Sequence, residues 1–334
     1  MIELVKKYSE NKRFLEGLDI PENEEIDFSL LAQGEYNANY IFVHPVSGEK
    51  LLFRVNTGSQ MHLENQIEYE YQALKNLESS GRTPKVYYVD GSKEVIPYGV
   101  LVMELLPGQG MDYEVDLNKG AEILADIHST PVAADCGLIH SSNPCNEILD
   151  ECNEMFRVYE QSELADQNKR KQIRRMLDIC RQKVENMGDY EGYKCCINTE
   201  VNSTNFLINE DGKSYLIDWE KPLLGDPGQD LGHFLAPTTT FWKTDVILNE
   251  KETEDFIKYY EECVGNRYDT SGLKKRVETF IPVTCMRGLT WCAMAWIEYQ
   301  KPDRALKNES TWKKLNAYLE QSFIDMIEQR IEHM

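Results

Sequence analysis

The run NTEVNSTNFLINEDGKSYLIDWEKPLLGDPGQD, residues 198–230, decides how this chain is read. A carboxylate, Glu200, is followed five residues later by an amide, Asn205. A glycine-containing turn comes next, and then a short apolar strand that ends in a second carboxylate, Asp218. Each residue alone says little, because a loop Glu is usually solvated and an Asn is usually a turn residue. In this order, with a hairpin between them, they suit phosphoryl transfer. That reaction needs an in-line nucleophile and neutralised phosphate charge, and little covalent help. A carboxylate beside an acceptor hydroxyl orients it and takes its proton. An amide oxygen and an acid at a strand end are ligands for a hard cation such as Mg²⁺.

Working outward, the N-terminal side supplies the other expected parts of a kinase-type site. LLFRVN, residues 51–56, reads as a strand with Arg54 near its end, where a cation would grip the α- and β-phosphates of a nucleotide. Glu70, on the helix that follows, would hold that cation by an ion pair. Gly34 in LAQGEYNANY sits at the turn of a candidate phosphate-covering hairpin, without the usual glycine-rich pattern. Asn37 and Asn39 are polar-contact candidates that ordinary turn chemistry explains equally well. LVMELLPG has the shape of a hinge. Backbone groups from Glu104 to Leu106 would meet a nucleotide base, with Met103 at the pocket edge.

The rest of the pattern gives an α+β layout. Residues 1–105 read as a small β-rich lobe: a short charged helix over residues 1–17, five strands, and one helix with Leu63, Ile67, Tyr71, Leu74 and Leu77 on one face. Residues 106–334 read as a large, mostly helical lobe carrying the 198–230 run. One of its helices is expected over NKRKQIRRMLDICRQKVENM. Asp230 is expected to cap a helix or to tie a loop down. His128 and His233 read as satisfied core histidines. The aromatic-rich helix GLTWCAMAWIEYQ reads as core, with a cleft-facing Trp291 or Trp296 that meets a cation as the alternative.

Composition narrows the partners. A net charge of −21 disfavours nucleic acid and anionic membranes, whose recognition needs clustered Lys and Arg. The same charge suits a cationic small substrate, although solubility alone explains it. The 9 cysteines include no C-x-x-C pair, which fits reduced, buried thiols in a cytoplasmic protein. MIELVKKYSENKRF lacks the apolar core of a secretory signal, and no window of 18 apolar residues reads as a membrane span. Nothing in the chain specifies an oligomeric state.

With these residues in view, the chain resembles the aminoglycoside phosphotransferase and choline kinase family of kinase-like small-molecule phosphotransferases. The resemblance runs from about Leu31 to about Trp242. It rests on LLFRVN, the helix with Glu70, LVMELLPG, NTEVNSTNFLI and LIDWEKPLLGDPGQDLGHF, with GAEILADIHS similar to the family's Leu-Ala-x-x-His segment. It implies a two-lobed protein-kinase-like fold, ATP or GTP as donor, Mg²⁺, and a small hydroxyl-bearing acceptor such as an aminoglycoside, choline or a sugar. Position by position, it implies Glu200 as catalytic base, Asn205 and Asp218 as metal ligands, and Arg54 as the phosphate-gripping cation. Where the family has His-Gly-Asp, this chain has Asn198-Thr199-Glu200, and Arg54 replaces a lysine. These departures leave a second reading open, a nucleotide-binding pseudokinase with little or no turnover.

Overall fold

The computed structural model describes residues 1–133, 135–185, 190–301 and 308–333. The first seventeen residues form two helices, α1 (Ile2–Ser9) and α2 (Lys12–Gly17), where the sequence reads as one. Asn11 is the cause. Its side chain accepts the Arg13 N–H at 2.8 Å and starts a new helix.

A five-stranded antiparallel sheet follows, built from β1 (Ser29–Gln33), β2 (Asn37–Val43) and β3 (Lys50–Asn56), then, after helix α3 (Gln66–Leu77), β4 (Val86–Asp90) and β5 (Gly99–Glu104). The spatial order is β1-β2-β3-β5-β4. Leu63, expected on the apolar face of α3, precedes that helix, and its N–H donates to Ser59 Oγ at 2.9 Å. Register fixes the two faces of the sheet. Tyr40, Phe53 and Val102 stand in one cross-strand row, and Asn39, Arg54 and Leu101 in the next. Because side chains alternate along a strand, the rows face opposite ways. The first row packs on α1 and α2, where Tyr8 and Phe14 meet Phe53 edge-on at 5.9 and 5.7 Å between ring centroids. The second row faces α3 and the cleft.

The remaining chain is mostly helical. After a short strand β6 (Gln109–Gly110) come α4 (Leu117–His128), α5 (Pro144–Glu160) and α6 (Gln167–Val184). The last two residues of the helix expected to end at Met187 lie outside the described residues. Four short strands lead into and carry the 198–230 run: β7 (Cys195–Ile197) just before it, then β8 (Phe206–Ile208), β9 (Tyr215–Leu216) and β10 (Leu223–Gly225). β8 pairs with β6 and β9, and β7 pairs with β10. Then come α7 (Pro227–Leu235), α8 (Pro237–Thr244), α9 (Glu250–Val264), α10 (Leu273–Tyr299), α11 (Glu309–Tyr318) and α12 (Gln321–Glu332).

Helix α10 is long and apolar enough by composition to cross a membrane, which the sequence reading did not find. Here it is a core helix, with 72% of its most apolar window buried against its neighbours. Gly288 lets it approach α8, since a Cβ there would stand 2.6 Å from Thr238 Cβ. The nine thiols are unpaired, and all but the half-buried Cys263 are buried.

Candidate active site

Strand alternation delivers Arg54 to the cleft face. Its Nε–H donates to Asn39 Oδ1 at 3.0 Å, and its Nη1 pairs with Glu70 Oε1 from α3. The same Nη1 lies 3.9 Å from Asp218 Oδ1 and 3.9 Å from Glu220 Oε1. Burial works against the Arg54 cation, but Glu70, Asp218 and Glu220 outweigh it and raise its pKa. Burial pushes the Glu70 carboxyl up while Arg54 pulls it back, and Glu70 Oε2 is buried without a partner. Glu220 is pushed up to about 7, first by burial and then by Asp218. Three carboxylates thus share one cation, and the group is short of positive charge.

Asp218 leaves the β9 ladder at φ +67°, in the left-handed region that Asp tolerates better than most residues. The neighbouring Trp219 is buried, and its indole N–H donates to Leu216 O at 3.0 Å. This turn leaves the Asp218 carboxylate 42% exposed, open to the cleft.

The Glu200 loop is held from below by Asp230. Its carboxylate accepts the N–H groups of Asn198 and Thr199, both at 2.7 Å, and meets His128 Nε2 at 3.2 Å. Asp230 is therefore the loop tie, and Asp226 is the residue that caps α7, accepting the Gly228 N–H at 2.8 Å. His128, bonded also to the Tyr260 hydroxyl, is the satisfied core histidine expected. Asn198 bridges the two halves of the site. Its Nδ2–H donates to Asp218 O at 2.8 Å, and its Oδ1 accepts the Glu200 N–H at 3.1 Å.

Asn205 donates through Nδ2 to Glu200 O at 3.2 Å, so its Oδ1 is the side-chain atom that would meet a cation. Its carbonyl accepts the Ile217 N–H at 2.8 Å, tying it to the segment that leads into Asp218. Among the described residues, no three His, Cys, Asp or Glu side chains converge as a preformed metal cage. Asn205, Asp218 and Glu220 offer instead a few hard oxygens with excess negative charge. That set suits Mg²⁺, which keeps water and phosphate oxygens as most of its ligands. Glu220 escaped the sequence reading as a site residue. Its signal was the second acid of Asp218-Trp219-Glu220. Asn37 donates to its Oε1, and Gln66 to its carbonyl at 2.7 Å.

The remaining residues expected to meet a nucleotide lie on the sheet or in the turns beside it. Gly34 is exposed at the β1–β2 turn, where its N–H donates to Asn37 O at 2.8 Å. Met103 is buried and Leu106 half-buried at the end of β5. The Glu104 N–H donates to Lys85 O at 2.8 Å, so that amide is not available to a base.

Beside Glu200 opens a cavity of about 410 Å³. Trp242, Trp291, Tyr318 and Met155 give it apolar walls, and Glu35, Glu151, Lys243 and Arg287 reach it as charges. Thr284, Arg287, Gly288, Trp291 and Cys292 line it from α10, and their 3–4 residue spacing is one helix face. Of the two tryptophans proposed from sequence, Trp291 faces the cavity, meeting Trp242 edge-on at 5.3 Å. Trp296 packs on Trp312 and donates to Asn316 Oδ1 at 3.0 Å. His233, expected as a core histidine, is half-buried in α7 and lines this cavity. Burial, and then Arg287, push its pKa down to about 3, so it is a neutral imidazole.

A model of the phosphotransferase enzyme family matches residues 27–264. The chain belongs to the phosphotransferase enzyme family. Solved structures of the same fold extend the likeness over the whole chain. A Ralstonia eutropha JMP134 protein, described provisionally as an aminoglycoside phosphotransferase, aligns at TM-score 0.69 and 14% identity, covering 100% of this chain and 98% of its own. A Cryptosporidium parvum Iowa II choline kinase aligns at 0.65 and 13%, covering 99% and 98%. A spectinomycin phosphotransferase solved with ADP and spectinomycin aligns at 0.59 and 12%, covering 93% and 94%. The phosphotransferase family match stops before α10, the helix that walls the cavity.

Proposed function

We propose that this protein transfers the γ-phosphoryl group of ATP to a hydroxyl of a small molecule bound in the Glu200 cavity. One observation carries the reading. Arg54 gathers Glu70, Asp218 and Glu220 on the nucleotide side, while Glu200, 18 residues before Asp218, opens on a cavity of about 410 Å³. A cavity of that volume fits a metabolite or antibiotic and not a protein chain.

In this reading the acceptor oxygen attacks the γ-phosphorus as the bond to the β–γ bridging oxygen breaks, and ADP leaves with that electron pair. The hydroxyl proton passes to Glu200. Arg54, held by Glu70 and Asn39, grips the α- and β-phosphates. Mg²⁺ on Asn205, Asp218 and Glu220 would neutralise charge on the β- and γ-phosphates. Trp242, Trp291 and the Glu35 carboxylate favour an acceptor with a cationic or sugar-like body.

The test is an ADP-release screen of aminoglycosides, amino alcohols and sugars, run beside thermal shift with Mg·ATP and Mg·GTP. Turnover with one acceptor class supports the reading. Absence of any shift at millimolar nucleotide overturns it. A shift without ADP release from any acceptor points to the pseudokinase instead. Glu200→Gln should keep the shift and lower turnover at least about tenfold.

A further inference from the structure

Glu200 carries one methylene more than aspartate, and a misplacement of about 1 Å can cost on the order of 10²-fold in rate. The side chain is held. Lys221 Nζ lies 3.3 Å from Glu200 Oε1, Gln60 Nε2 donates to the same oxygen at 3.4 Å, and Arg287 Nη2 lies 3.7 Å from it. These groups come from three separate parts of the chain: the segment after Asp218, the loop before α3, and α10. All three of these contacts meet Oε1. The Glu200 side chain keeps 33% exposure and lines the cavity.

The holders are themselves fixed. Arg287 is anchored on Glu151, with Nε 3.0 Å from Oε2 and Nη2 3.5 Å from Oε1. Lys221 is anchored through its backbone, whose carbonyl accepts the Thr199 hydroxyl at 2.8 Å. Thr199 makes that bond from φ +67°, a conformation that costs a β-branched residue roughly 1–3 kcal/mol. Glycine would sit there without strain but has no hydroxyl to reach Lys221. The Lys221 and Arg287 side chains are each largely out of water, at 17% and 19% exposure. Two cations so placed near one another are unfavourable without carboxylates to face.

We propose that Lys221 and Arg287, with Thr199 anchoring the first, are positioning residues that hold Glu200 by Oε1 and present Oε2 to the acceptor hydroxyl. The inference rests on the phosphotransferase reading above. It makes Asn198-Thr199-Glu200 a matched set with Lys221 and Arg287, in which the longer acid is required to reach the clamp.

The experiment measures ADP release from Mg·ATP, with water and with the best acceptor from the screen, alongside calorimetric binding of Mg·ATP. Lys221→Met and Arg287→Met should lower kcat about tenfold or more, with KM and Kd for ATP within about twofold of wild type. Lys221→Arg should recover most of the loss. Glu200→Asp should also lower kcat, because the shorter acid retreats from the clamp, and adding Lys221→Met to it should cost little more. Thr199→Gly tests the anchor, since relief of the φ strain offsets the lost hydroxyl bond, and its melting temperature should change little while kcat falls. Wild-type kcat in Glu200→Asp and Thr199→Gly, or equal losses from Lys221→Met with either acid at 200, overturns the clamp. Wild-type protein that binds Mg·ATP and releases no ADP overturns the phosphotransferase reading itself, a result distinct from the first.

Discussion

At Arg54 a guanidinium with 7% exposure faces three carboxylates, and its neighbours depend on it. Arg54→Met strands Glu70 with its charge buried, and removing one partner of such a pair typically costs about 3–5 kcal/mol. Urea denaturation should show a loss of that size, larger than that of Glu70→Gln, which leaves a neutral side chain behind. His233 offers a second residue-scale check. Folded, it takes a proton only near pH 3, whereas an unfolded imidazole takes one at about 6.5. The unfolded state therefore binds more protons between these values. The contribution is present in full above 6.5 and is lost by about 1.4 kcal/mol per unit as pH falls below it. Melting temperatures should decline more steeply from pH 6.5 to 4.5 in wild type than in His233→Gln. Arg54 and Glu70 were legible because a strand and the helix after it fix their order. Arg287 was not. It lies 87 positions from Glu200, and its one signal was a lone cation in an apolar helical stretch.

Among the elements, α1 and α2 do more than their charged sequence suggests. They roof the outer face of the sheet, where Phe14 is fully buried against Tyr8, Phe42, Phe53 and Tyr88. Phe14→Ala should cost about 3–5 kcal/mol in denaturant unfolding, while folded protein keeps its affinity for Mg·ATP, since the cleft lies on the other face. A sequence pattern announces that a helix is amphipathic without naming the surface that receives it. Helix α10 is the second case. Its Gly288 contact with α8 sets the width of the cavity, and Gly288→Val should cost about 1–3 kcal/mol by overpacking. The same substitution should raise KM for the acceptor more than KM for ATP, measured in one steady-state series. The periodicity of α10 was readable as core. Which residues of it turn to a cavity depends on α8 and the Glu200 loop, and so on the assembled fold.

Across the whole molecule, helix α3 joins the sheet to the helical region. Gln66 Nε2 donates to Glu220 O at 2.7 Å, Tyr69 donates its hydroxyl to Pro222 O at 2.6 Å and accepts the Ile139 N–H at 3.0 Å, and Asn76 Nδ2 donates to Cys136 O at 3.0 Å. Mg·ATP should raise the melting temperature of wild type, and Asp218→Ala should lose the Mg²⁺-dependent part of that shift with circular dichroism unchanged. The two-lobed plan was legible from the switch between a period of two and a period of 3.6 along the chain. The fastening of α3 was not, because it joins side chains to backbone atoms far away in sequence. Many kinases are governed by swinging the equivalent helix, which makes or breaks the lysine–glutamate pair on command. Here α3 is fastened near both ends, at Gln66 and Tyr69 and at Asn76. Opening the Arg54–Glu70 pair by moving α3 would have to break the Gln66, Tyr69 and Asn76 bonds together, so that pair should stay closed whether or not a nucleotide is bound.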